Sequence, residues 1–302
     1  MRRSLRPGLL AAMVALAMLL NACARSTATT TEVTSTAAPE APITATTTIP
    51  APTTTAAPLA PVAVLSEGVL LGWWSDAGWQ NDPDYAPLDD GDEYRIFSVT
   101  EPEVQSVAGP PLIHCEWVSD AGTGYQVALA PVSFGLGVSA HARASAGRAE
   151  SIEPGPVHLS VAHEVLDERG ADHEDPVFVQ LIRTDLDHDG SAEVLGVLER
   201  GAGSFPSLGD YGVAVVMFEG MPGLAPIVLA EHVVNELPDD GIDDWFYTAT
   251  VFRFDAVADV NGDGVDEVAM SSSGYEWWGT ELYEWRDERD GFASVLANGC
   301  GV

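Results

Sequence analysis

Two nine-residue segments of the chain carry oxygen-bearing side chains at the same positions, and each could hold a metal ion. The first is 185–193, DLDHDGSAE, and the second is 259–267, DVNGDGVDE. Both place such side chains at positions 1, 3, 5 and 9, with glycine at position 6. Hard oxygen ligands at this density are typical of Ca²⁺ sites. The sequence therefore predicts two calcium-binding loops.

The predicted ligands lie at alternate positions because the backbone must curl around the ion, which turns the intervening side chains away from it. Position 7 contributes a backbone carbonyl, and the glycine at position 6 permits the positive φ of a sharp turn. The ligands predicted for the first loop are Asp185, Asp187, Asp189, Ser191 and Glu193. The ligands predicted for the second loop are Asp259, Asn261, Asp263, Val265 and Glu267.

The two loops differ from an EF-hand, which needs a bidentate acid at position 12 and a helix on each side. Position 12 is Gly196 in the first loop and Met270 in the second, and neither side chain can bind calcium. A short apolar run containing valine, 193–198 or 267–270, follows each loop and favours a buried strand. The loops are therefore predicted to connect strands.

The pattern D-h-N/D-x-D-G-x-x-E before an apolar strand resembles the FG-GAP (VCBS, integrin-alpha-like) repeat, over about residues 175–285. In that family a calcium loop lies between strands of β-propeller blades, and the ten predicted ligands match its ligand positions one by one. The full FG and GAP signatures are missing from this chain. The resemblance therefore implies calcium binding more directly than it implies a complete propeller.

The folded region is predicted to span 62–302 and to be mainly β. Apolar runs and turn residues predict strands near 69–74, 93–99, 125–130, 176–182, 213–218, 225–234 and 251–260. The Ala-rich segment 139–151 predicts a short helix. The loops are 74 residues apart, which exceeds the length of a typical blade, and seven blades would need far more chain. We expect an irregular or small propeller-like β domain with two calcium loops between strands.

The N-terminus carries the features of an export signal. Three arginines precede an apolar run at 9–20, which is too short to span a bilayer, so residues 1–22 are predicted to be a signal peptide. The segment Leu20-Asn21-Ala22-Cys23 resembles a bacterial lipobox, which implies a lipid on Cys23 and a location in the cell envelope, on the outward-facing side of the cytoplasmic membrane. An ordinary secretory peptide cleaved nearby is the alternative. Residues 23–61 are rich in Thr, Ala and Pro and predict a disordered tether.

Two cysteines, Cys115 and Cys300, remain in the exported domain. An even pair in that setting predicts a disulfide, and two free buried thiols are the alternative.

The chain is strongly acidic, with 13 Arg, no Lys and 46 acidic residues, for a net charge of −33. Loss of residues 1–22, which contain three Arg and no acid, makes the net charge −36. Such a protein is repelled by nucleic acid, so no nucleic-acid partner is expected. Either an extracellular calcium-binding domain or adaptation to salt would account for the acidity.

No catalytic centre is predicted. The His163-Glu164 pair lacks the second histidine of a zinc-protease motif, because position 167 is Asp. Aromatic clusters at 73–79 and 275–278 could stack on sugars or on a partner, although core packing is the interpretation we favour. We expect a calcium-binding, lipid-anchored module that binds a protein or glycan or has a structural role in the envelope. The alternative is an envelope polysaccharide hydrolase with a carboxylate dyad, which so acidic a chain would not reveal by any local motif.

Overall fold

The computed structural model describes residues 60–81, 88–114, 124–131, 134–171, 175–201, 207–221, 224–235, 250–274, 277–287 and 291–301. The predicted signal peptide, the lipidation residue Cys23, nearly all of the tether and Cys115 lie outside these ranges. Residues from Ala56 to Val302 form one compact unit. Among the described residues, no helix is long and apolar enough to cross a membrane.

The first sheet is antiparallel and curls into a half-barrel. Its strands run in the order β6-β7-β2-β1-β9-β4-β5-β8, and β3 pairs with β2. The strands are β1 (Val62–Ser66), β2 (Val69–Ser75), β3 (Gly78–Gln80), β4 (Glu93–Phe97), β5 (Val104–Ala108), β6 (Leu112–His114), β7 (Gly124–Gln126), β8 (Leu129–Ala130) and β9 (Leu136–Ser139).

The rest of the described chain forms two five-stranded sheets and one helix. The second sheet has the order β11-β12-β13-β14-β15, and the third has the order β10-β16-β17-β18-β19. Their elements are β10 (Ser145–Ala146), β11 (Glu150–Ser151), α1 (Pro156–Arg169), β12 (Phe178–Thr184), β13 (Glu193–Arg200), β14 (Tyr211–Phe218), β15 (Ile227–Val233), β16 (Val251–Asp259), β17 (Glu267–Ser273), β18 (Trp277–Asp287) and β19 (Gly291–Gly301).

The second and third sheets share one topology. Each is a meander of four consecutive antiparallel strands, and each carries a two-residue strand on the free edge of its first long strand. The two predicted calcium loops occupy the same place in both sheets, between the first and second long strands. The repeat that the sequence reveals only at the loops therefore extends over two whole sheets.

The layers follow the order α1, second sheet, third sheet, first sheet. Along β13, Val194 and Leu198 lie in the cluster with α1, whereas Leu195 and Val197 lie in the cluster with the third sheet. The opposite face of the third sheet packs against the first sheet. Both faces of β13 and β14 are covered, and these two central strands are accordingly nearly continuous apolar runs without alternation.

The prediction of a mainly β fold is confirmed, and strands lie at each of the predicted segments. The helix predicted at 139–151 is wrong, because that segment supplies the edge strands β10 and β11. The ladder bonds that these strands make with β16 and β12 override the helix propensity of alanine. The helix lies further on, at Pro156–Arg169, between Gly155 and Gly170, whose φ is +66°.

The first aromatic cluster belongs to the sheet surfaces and the core. Trp73 is buried, and the rings of Trp74 and Trp79 meet edge to face at 4.8 Å. The indole nitrogen of Trp79 donates a 2.6 Å hydrogen bond to Glu284 in the third sheet. These contacts support the core-packing interpretation for 73–79. In the second cluster, by contrast, Trp277 is exposed.

Candidate metal centre

The carboxylates of the first loop converge. The loop joins β12 to β13, whose last and first residues, Thr184 and Glu193, pair across the hairpin. One carboxylate oxygen from each of Asp185, Asp187 and Asp189 lies within 4.8 Å of the others. Backbone N–H groups further along the loop bond to the same side chains: Gly190 donates to Asp185 Oδ2 (3.1 Å), and Ser191 donates to Asp189 Oδ1 (2.6 Å).

The second loop repeats this hydrogen-bond scheme between β16 and β17. Gly264 N–H donates to Asp259 Oδ2 (3.1 Å), and Val265 N–H donates to Asp263 Oδ1 (2.9 Å). The N–H of Asp263 donates to Asn261 Oδ1 (2.8 Å), as that of Asp189 in the first loop donates to Asp187 Oδ1 (3.2 Å). Three equivalent bonds show that the two loops have the same conformation.

A buried glutamate closes each loop from the strand that follows. Glu193 and Glu267 are 3% and 0% exposed. Glu193 Oε2 accepts the N–H of Leu186 (2.9 Å), and Glu267 Oε2 accepts the N–H of Val260 (2.7 Å). Burial raises the pKa of Glu193 to about 7 and that of Glu267 to about 9, against the lowering effect of these backbone bonds. Neighbouring aspartates add to the rise.

Four carboxylate oxygens of the loops are buried without a hydrogen-bond partner among the described residues. They are Asp185 Oδ1 in the first loop, and both oxygens of Asp266 and Glu267 Oε1 in the second. Buried polar atoms in folded proteins are nearly always paired, so orphaned acceptors of this kind indicate a missing cation or donor. The donor set is oxygen only, which fits Ca²⁺ and does not fit Zn²⁺.

The two loops contact each other, a feature that the spacing of residues did not predict. Asp266 N–H donates to Leu186 O (2.8 Å), and its carboxylate lies 3.6 Å from His188 Nε2. Asp266 is 1% exposed, and burial raises its pKa to about 6, although His188 lowers it. Asp185 and Asp259, the residues at position 1 of the two loops, both raise the Asp266 pKa. The two loops therefore share one electrostatic environment.

His188 takes a backbone conformation that suits glycine. Its φ is +58°, and the equivalent position of the second loop is Gly262, with a φ of +78°. The imidazole lies toward Asp266 in the other loop. A non-glycine residue at such a φ costs about 1–2 kcal/mol.

The remaining predicted residues are placed as follows. Ser191 and Val265 lie at position 7 of their loops and donate their N–H groups inward. Among the described residues, only the first loop groups three carboxylates within 4.8 Å of one another, and that group contains neither Glu193 nor any predicted ligand of the second loop. Cys300 is disulfide-bonded, and its predicted partner Cys115 lies outside the described residues.

In a comparison with known proteins, no family model, no curated protein and no solved structure matches the chain. The resemblance to FG-GAP repeats therefore stays a prediction that depends on the loop pattern alone.

Proposed function

We propose that the protein is a calcium-binding, lipid-anchored module of the cell envelope that binds a protein or glycan or has a structural role there. Two ions would be held by the side chains of the two loops. The observation that supports this proposal is the hydrogen-bond scheme shared by the two loops. Three carboxylates converge in the first loop, and each loop holds buried carboxylate oxygens without a partner among the described residues. The bond from the position 6 N–H back to the position 1 carboxylate, present in both loops, goes beyond the two-residue bonds of ordinary Asx turns.

Calcium in these loops would serve the structure of the domain. Each loop joins two long strands of a sheet that is covered on both faces, so its conformation fixes the register of those strands. The first loop packs four acidic side chains into nine residues and the second packs four acidic side chains and one amide, and a divalent ion would reduce the repulsion among the carboxylates. A calcium ion surrounded by protein oxygens is a weak Lewis acid and a poor activator of water, which favours a rigid binding surface over catalysis.

A calorimetric titration of the purified protein tests the proposal. We expect two calcium ions per chain, with Kd values of about 10⁻⁵ to 10⁻³ M, the range of sensor and extracellular loops. Mg²⁺ should bind more weakly, because it demands a smaller octahedral shell and retains its water. Absence of bound calcium at millimolar concentration would refute the proposal.

The lipid anchor gives a separate prediction. Wild-type protein should fractionate with membranes in the producing bacterium, and mass spectrometry should show a lipid on Cys23. Cys23→Ser should release the protein or leave its signal peptide uncleaved, because serine offers no thiol for lipidation. Ser26→Ala, which leaves that thiol in place, should behave as wild type. Recovery of unmodified wild-type protein from the medium would show that the chain is secreted without an anchor.

A further inference from the structure

A cleft of about 510 Å³ with both apolar and polar lining residues opens between the first and third sheets, away from the predicted calcium loops. Its size lies within the range of about 300–1,000 Å³ that small-molecule sites occupy. We call it the intersheet cleft. Its floor comes from one face of β16, β17 and β18, and its opposite wall comes from the turn after β1 and from Gln126 and Phe134.

The floor of the cleft continues the face of the third sheet that packs against the first sheet. Where the first sheet covers that face, its residues are apolar, among them Ala256, Ala269 and Leu282. Beyond the covered part, the same face carries polar residues and one tryptophan. Register places them side by side across the strands, as the pairs Arg253–Ser271, Ser271–Thr280 and Ser273–Trp278.

The opposite wall is tied to this floor by polar contacts. Ser66 Oγ and Thr280 Oγ1 share a 3.0 Å hydrogen bond, and Arg253 Nη2 donates to Glu67 Oε1 at 2.9 Å. Arg253 Nε also donates to the buried Asp255 at 2.5 Å. Because the Arg253 guanidinium is balanced by two carboxylates, the cleft offers no spare positive charge. The side chains of Arg253 and Glu67 are about half exposed, so both can contact a ligand.

We infer that the intersheet cleft binds a neutral saccharide. The indole of Trp278 and the exposed ring of Phe134 offer flat apolar surfaces for the C–H face of a sugar ring. The hydroxyl of Ser273 can donate and accept a hydrogen bond, as sugar hydroxyls require. The half-exposed Arg253 and Glu67 add a donor and an acceptor beside it. Aromatic surface and polar groups that line the same cleft match a ligand that is itself apolar on one face and hydroxylated at its edge.

Other ligand classes fit the cleft less well. An apolar ligand would bury the hydroxyls and the Arg253–Glu67 pair without replacing their bonds to water, which costs about 1–3 kcal/mol per group. An anionic ligand would meet a chain with a net charge of −33 and no unbalanced arginine in the cleft. A neutral saccharide incurs neither cost. The inference rests on the proposed function, since it assigns the ligand of that module to the glycan class.

The test is titration of the full mature protein with neutral tetrasaccharides of glucose, mannose and galactose, followed by calorimetry and tryptophan fluorescence. At least one should bind, and Trp278→Ala should weaken that binding 10-fold or more, because stacking on the indole is lost. Ser273→Ala should weaken it about 3- to 10-fold with less risk to folding. Trp277→Ala removes the neighbouring exposed indole, which lies outside the cleft, and should leave binding unchanged.

Calcium titration of the same samples separates this inference from the proposed function. Trp278→Ala should still bind two calcium ions, because the cleft and the loops share no residue. The inference is overturned if no tetrasaccharide binds at millimolar concentration while calcium does. It is equally overturned if Trp278→Ala and Ser273→Ala bind as wild type, or if an acidic oligosaccharide such as tetragalacturonate binds more tightly than every neutral one.

Discussion

Saturating calcium is expected to raise the Tm of the purified protein by about 5–10 °C for each occupied loop. A ligand that binds only the folded state at 100 times its Kd adds about 2.7 kcal/mol to the free energy of unfolding. For a domain of this size, each kcal/mol corresponds to roughly 2–4 °C. Differential scanning calorimetry in EDTA and in excess CaCl₂ measures the shift directly.

Single substitutions should divide that shift between the two loops. Asp185→Ala and Asp259→Ala each remove the first ligand of one loop, together with the acceptor of the Gly190 or Gly264 N–H. Each variant should bind one ion and lose about half of the calcium-dependent rise in Tm, and the double variant should lose all of it. If one single variant lost the whole calcium-dependent rise in Tm and the other lost none of it, only one loop would bind calcium.

An acid outside the loops provides the control for net charge. Asp90→Ala removes one exposed carboxylate from a turn of the first sheet and should leave both the stoichiometry and the Tm shift unchanged. If Asp90→Ala reduced the shift as much as Asp185→Ala does, calcium would be acting by screening the −33 charge of the whole chain.

The loops could be predicted from sequence because their geometry is local. Each nine-residue loop contains all five of its predicted ligands. The bonds from Gly190 to Asp185 and from Gly264 to Asp259 span only five positions. The contact between His188 and Asp266 spans two sheets, so no spacing encodes it. Asp266 lies at position 8, where a loop pattern expects no ligand, and its buried carboxylate is visible only in three dimensions.

The fold, like the loops, was predictable where local sequence determines it and not where distant segments meet. Apolar runs such as 213–218 correctly predicted buried strands, because covered faces leave no room for polar residues. The misplaced helix at 139–151 shows where local propensity fails, since β10 and β11 exist only through pairing with β16 and β12. The intersheet cleft is likewise hidden in the sequence, because its two walls come from segments about 200 residues apart.

Without calcium, the stability of the protein is expected to fall as the pH rises from about 5 to 9. Burial raises the pKa of Glu193 to about 7 and that of Glu267 to about 9, whereas in the unfolded chain both return to the ordinary value of 4.5. Between these values the folded state binds more protons than the unfolded state, so raising the pH favours unfolding. Below about pH 4.5 both states are protonated and the contribution is fully present. Chemical denaturation in EDTA across this range measures the slope.

Calcium should remove most of that slope, because the ion stabilises the ionised carboxylates that burial disfavours. The calcium-dependent gain in stability should therefore increase with pH, whereas a cation that bound elsewhere would leave the slope unchanged. By pH 7.5 the Glu267 contribution amounts to at most about 4 kcal/mol, at about 1.36 kcal/mol per pH unit. A calcium-free protein whose stability is flat from pH 5 to 9 would show that Glu267 is not held in this buried, unpaired state.

Glu267→Gln separates the cost of burying this carboxylate from its predicted role as a calcium ligand. The substitution should change the free energy of unfolding in opposite directions without and with calcium. The amide oxygen can still accept the Val260 N–H, and the side chain no longer ionises. At pH 8 without calcium the variant should be more stable than wild type, because no buried charge forms. With saturating calcium it should be less stable, because the second loop has lost a charged ligand.

Glu199→Gln is the control. It removes another carboxyl whose pKa is raised by burial but which lies outside the loops, and it should leave the calcium response intact. The reversal in rank order between EDTA and calcium is the decisive result, since a substitution that only perturbed packing would shift both conditions the same way.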